Sequence, residues 1–186
     1  MKRLVSIAVF CLALAACGGG SAATVSCRDY WDGTFGTCLP DDWVVIERET
    51  LRQRGVPEDT LVAFQSQVAV SGQFPTLAVT REALAQVMSP DVYSKANIRS
   101  VTVLPAYKEV DTRDVRIDED TVTLHTFTAQ PIAEEPMRRF YQASTVTEDG
   151  DGYTITATLP VSFSDDVERE IHVMFDEATF VEPEEE

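Results

Sequence analysis

The chain has 186 residues, 31 Asp and Glu against 15 Lys and Arg, and a formal net charge of -16. So acidic a balance excludes nucleic acid as a partner, because phosphate binding needs a basic face, and it gives the folded part no attraction to anionic lipid. Length and apolar content suit one domain with a sizeable core.

In chain order, the first feature is Lys2 and Arg3 ahead of an apolar run from Leu4 to Ala15. Charged, apolar and small-residue parts in that order predict a secretory signal over residues 1–16, and the run falls short of the roughly 20 apolar residues that span a bilayer. It ends in Leu14-Ala15-Ala16-Cys17, which resembles the lipobox of bacterial lipoproteins. The resemblance implies cleavage before Cys17, acylation of its thiol, and an anchor in the cell membrane or outer membrane with the rest of the chain extracytoplasmic. Residues 17–24, small and apart from Val25 onward, are then the lipidated terminus and a flexible leash.

Of the four cysteines, Cys11 leaves with the signal and Cys17 takes lipid, so Cys27 and Cys38 are expected to pair in an oxidising compartment. A zinc site is the competing use, but the gap is not finger spacing and a second ligand pair is missing. Asp32-Gly33 between Tyr30, Trp31 and Phe35 predicts a hairpin stapled by that bridge. The three aromatics either pack in the core, the favoured reading, or form an exposed tip. Pro40-Asp41-Asp42 breaks the strand and Trp43 to Ile46 resumes an apolar run.

Glu47 to Arg54 reads as a short helix ended by Gly55, and Pro57-Glu58-Asp59 as the start of a second, with Leu61, Val62 and Phe64 on its apolar side. Phe74 to Thr80 follows as a strand, Arg81 to Met88 as a helical turn, and Ser89-Pro90-Asp91 opens a helix running to about Ser100. Two hairpins come next, Val110 to Ile117 with Thr121 to Ala129, and Arg138 to Thr147 with Tyr153 to Leu159. In the last strand Tyr153, Ile155, Ala157 and Leu159 alternate with threonines, which marks a sheet with one face on the core. Val167, Ile171, Met174, Phe175 and Ala178 give a closing helix from Ser164 an apolar stripe. The expected domain spans 25–181, with 182–186 as an acidic tail.

This order, with Pro40 and Trp43, the Pro75-Thr76-Leu77-Ala78-Val79 strand, a helix carrying Tyr93, and Gly152-Tyr153-Thr154-Ile155-Thr156-Ala157, resembles the PsbP-like family over most of residues 30–180. That family comprises the extrinsic photosystem protein and many bacterial lipoproteins of no assigned activity. The resemblance implies an α+β fold, an α/β/α sandwich around an antiparallel sheet, and a binding role. The cysteine pair departs from the family's pattern, and no ligand residue carries over.

Chemistry is sparse. No nucleophile elbow, HExxH pair or phosphate loop is present, which leaves His125 and His172 as imidazole bases for a hydrolase reading. Asp118, Asp120, Asp149 and Asp151 place hard oxygen donors in two turns and are calcium candidates, though without EF-hand spacing, and acidic turns are ordinary hairpin chemistry. Arg48, Arg52 and Arg54, with Arg138 and Arg139, are solvated faces or a basic spot for an acidic ligand. The expectation is a non-enzymatic binding or scaffolding module without cofactor, anchored to the membrane through Cys17 and meeting an envelope protein or small ligand. A structural subunit of an envelope complex is the further alternative.

Overall fold

The computed structural model describes residues 24–183. Nine strands and three helices run in the order β1 (Cys27–Trp31), β2 (Gly36–Pro40), β3 (Trp43–Val45), α1 (Arg48–Gln53), β4 (Thr60–Ser66), β5 (Thr76–Ala83), α2 (Pro90–Val101), β6 (Lys108–Ile117), β7 (Asp120–Ala129), β8 (Arg138–Val146), β9 (Asp151–Pro160) and α3 (Asp165–Asp176). Seven strands make one antiparallel sheet in the order β3-β4-β5-β9-β8-β7-β6, and β1 with β2 make a separate hairpin.

Period-two alternation divides the sheet chemically. Leu77 and Val79, Leu124, Tyr141 and Ala143, and Ile155, Ala157 and Leu159 point to one face and form the core with Ile171, Met174 and Phe175 of α3. The stripe read from the sequence is the one that packs. The hairpin completes the roof over β4: Phe35 is fully buried and the Tyr30 ring meets Phe64 edge-on at 5.0 Å. The Cys27–Cys38 disulfide holds the hairpin, with Cα atoms 5.5 Å apart. α2 lies on the opposite face over β7 and β8, and Gly152 of β9 admits the Tyr93 ring, since a Cβ there would stand 2.5 Å from Tyr93 Cζ. The result is the α/β/α sandwich around an antiparallel sheet.

Two expected elements differ. The segment read as a helix beyond Pro57 is β4, because Pro57-Glu58-Asp59 closes a turn in which Thr60 N–H donates to Pro57 C=O at 3.1 Å, and Val62 and Phe64 pair with Val79 and Leu77. Neighbouring strands outweigh the local helix-start signal. Arg81 to Met88 contains no helix either: β5 continues to Ala83, pairing Arg81, Glu82 and Ala83 with Tyr153, Gly152 and Asp151. β5 begins at Thr76, later than the expected Phe74.

Candidate functional site

The face opposite the core is covered unevenly. α2 shields β7 and β8, and at the far edge Arg54, just past α1, donates to Gln65 Oε1 of β4 at 3.3 Å. Between these helices the middle strands β5 and β9 are part-open, with Thr76 beside Thr158 and Ala78 beside Thr156 in direct register, and Thr80 beside the buried Thr154. Phe140 and Gln142 of β8 border the strip, and Gln142 Nε2 approaches Thr156 Oγ1 at 3.4 Å while its Oε1 is buried without a partner. A floor of hydroxyls and methyls, walled by an aromatic ring and an amide, suits contact with a partner's backbone or a small polar ligand.

Behind Phe140 the wall is a stack of rings: Phe127 lies 5.0 Å from Phe140 and His125 lies 4.9 Å from Phe127. His125 is fully buried; its Nε2 is hydrogen bonded to Tyr107 Oη at 3.0 Å and stands 3.6 Å from Glu109 Oε2. Burial pushes its pKa below the ordinary value and Glu109 opposes that only in part. His172 belongs to α3 on the other face, where it meets the Tyr141 ring edge-on at 5.7 Å. Burial, then Arg113, lowers it also. Tyr141 Oη donates to Glu168 Oε1 at 2.6 Å, and burial followed by that carboxylate pushes the phenol well above its usual range. The sheet therefore separates the two imidazoles, and neither lines the cavities described next.

One cavity of about 270 Å³ is lined by Arg48, Leu51, Arg52, Val56, Pro57, Glu58 and Thr60, and another of about 290 Å³ by Asp41, Asp42, Asp166, Arg169 and Glu170 with Thr24 to Ser26. Of the arginines singled out in the sequence, Arg48 and Arg52 share the first cavity, and Arg138 and Arg139 lie apart from them on β8. Arg52 pairs with Glu49 at 3.0 Å, Arg138 with Glu135 at 3.2 Å, and Arg139 stands over the Phe163 ring at 5.1 Å.

Two of the four acidic turn residues have partners in the fold. Asp118, at φ 54°, accepts from Thr179 Oγ1 at 2.5 Å and from Phe180 N–H at 3.1 Å, which ties the C-terminal segment to the β6–β7 turn. Asp151 pairs with Arg81. Asp120 opens β7 and Asp149 lies in the β8–β9 turn, and among the described residues no group of three or more His, Cys, Asp or Glu is placed to hold a metal ion. Cys17 lies outside the described residues. The part-open strip was not found from the sequence as a site; the threonine alternation of β9 was its one visible sign.

No family model matches the chain, and no curated protein does. Solved structures do. The mycobacterial LpqN of Mycobacterium tuberculosis, described as involved in cell envelope biogenesis, superposes with a TM-score of 0.58 at 12% identity, covering 83% of this chain and 90% of its own. The Ran-binding protein Mog1p of Saccharomyces cerevisiae gives 0.56 at 11%, covering 84% and 96%. Cyanobacterial PsbP of Synechocystis gives 0.53 at 12%, covering 90% and 99%. At such identities the likeness concerns the fold, and the fold is the PsbP-like α+β sandwich that the element order resembled.

Proposed function

We propose that this chain is a lipoprotein of the cell envelope, acylated at Cys17, whose folded part works outside the cytoplasm as a non-enzymatic binding or scaffolding module. The observation that carries the binding role is the part-open β5–β9 strip, where a floor of threonines is bordered by the Phe140 ring and by the Gln142 amide, whose Oε1 is buried without a partner. LpqN, Mog1p and cyanobacterial PsbP share the architecture, and the first is described in an envelope process and the second as a binder. A hydrolase built on His125 lacks an approach for substrate, because the imidazole is sealed under Tyr107 and Phe127.

The test is capture from the native envelope with the wild type beside Thr156→Arg, a substitution at a half-exposed floor position. A ligand or partner retained by the wild type and lost from Thr156→Arg supports the strip as the binding face. Equal retention by both proteins contradicts it.

A further inference from the structure

All strands of the large sheet being antiparallel, its connections divide into two ends. At one end lie the loops 67–75, 102–107, 130–137 and 161–164, following β4, α2, β7 and β9. The chain enters at this same end: Ser26 Oγ donates to Asp41 at 2.6 Å, and Asp42 C=O accepts from Gln67 N–H at 2.7 Å. Ser71 Oγ donates to Ser162 C=O at 3.2 Å and Gln130 N–H to Pro105 C=O at 2.8 Å, so the loops are joined pairwise.

These loops expose apolar side chains, with the acidic Asp41, Asp42, Asp165 and Asp166 at their margin. Val68, Phe74, Val103, Ile132, Met137 and Val161 are 41–83% exposed there. Loops 67–75, 102–107 and 161–164 contain no charged residue, in a chain with 25%. In 130–137 the acids are Glu134 and Glu135, the latter paired with Arg138. The opposite end exposes Val87, Val92 and Val181 too, but among turns that carry Asp118, Glu119, Glu148 and Asp149.

We propose that the 67–75, 102–107, 130–137 and 161–164 end of the sandwich docks on the lipid bilayer, its exposed apolar side chains reaching the headgroup and acyl boundary. The inference rests on acylation at Cys17. From Cys17 to Thr24 the leash extends at most about 25 Å, and it meets the fold beside these loops, so anchorage keeps this end near the membrane at high effective concentration. Charge permits this on a zwitterionic surface: the exposed Asp41, Asp42, Asp165 and Asp166 stand beside these loops, so docking is expected where the headgroups carry no net negative charge, as in phosphatidylcholine. The β5–β9 strip then stands upright from the membrane, open sideways to a partner.

The experiment is amide hydrogen exchange by mass spectrometry on the full-length product expressed in a bacterial host, in phosphatidylcholine vesicles and in detergent, with the intact mass of the same sample recorded. The expected result is an acylated Cys17 and exchange slowed about tenfold or more in 67–75 and 161–164 on vesicles, with 147–150 unchanged. Because Phe74, Ile132 and Val161 are exposed, the triple variant Phe74→Ser, Ile132→Ser, Val161→Ser keeps the fold and loses that protection. An acylated chain without protection overturns the docking alone, whereas an unacylated chain overturns docking and anchorage together. Protection that appears in native envelope membranes but not in phosphatidylcholine assigns this end to a protein partner and also overturns the proposal.

Discussion

Asp118 was legible as an acidic turn residue, and its partners sixty residues away were not. A non-glycine residue at φ 54° is tolerated best by Asp or Asn, and here the carboxylate also holds Thr179 and Phe180. Asp118→Ala is expected to lower unfolding stability by about 1–3 kcal/mol, and Asp118→Asn by less, because it keeps an acceptor and the backbone preference; urea denaturation compares them. The histidines teach the converse. Nothing near His125 in sequence announces complete burial, which depends on Tyr107 folding over β7. Both imidazoles are held below their ordinary value, so the unfolded chain takes up protons first as the pH falls. Their stabilisation is full above the unfolded pKa of about 6.5 and is lost as the pH falls through the folded values. Urea midpoints are therefore expected to drop between pH 7.5 and 5.5, and to drop less in His125→Gln/His172→Gln. An unchanged slope in that double variant contradicts the assignment.

Elements with their own periodicity or start signals were readable: α2 opens at Ser89-Pro90, whose serine accepts from Val92 N–H, and α3 buries the stripe its spacing announces. β4 was not, because Leu61, Val62 and Phe64 fit either period and the decision came from β3 and β5 beside it. Two predictions belong at this scale. Gly152→Ala pushes a methyl into Tyr93 and lifts α2 from β9, and it is expected to cost about 1–3 kcal/mol in thermal or urea unfolding. Cys27→Ser with Cys38→Ser frees the β1–β2 hairpin and is expected to cost about 3 kcal/mol on the chain-entropy model, with protease cleavage appearing first in 27–40. Equal stability of the variant and the parent contradicts the staple's role.

At the scale of the whole molecule, strand order was the hidden variable. Successive hairpins β6–β7 and β8–β9 followed from turn chemistry, but the joining of β5 to β9 across the intervening chain has no local signal. That pairing creates the part-open strip, and it also gathers loops scattered through the sequence, three of them without a charged residue, at one end. The proposed anchor, by contrast, rests entirely on the sequence Leu14-Ala15-Ala16-Cys17 and owes nothing to the fold. The most direct measurement is metabolic labelling with a radioactive fatty acid of cells producing the wild type and Cys17→Ala. The account predicts label in the wild type and none in Cys17→Ala; label that persists in the variant, or a wild type that takes up none and keeps Met1, contradicts it.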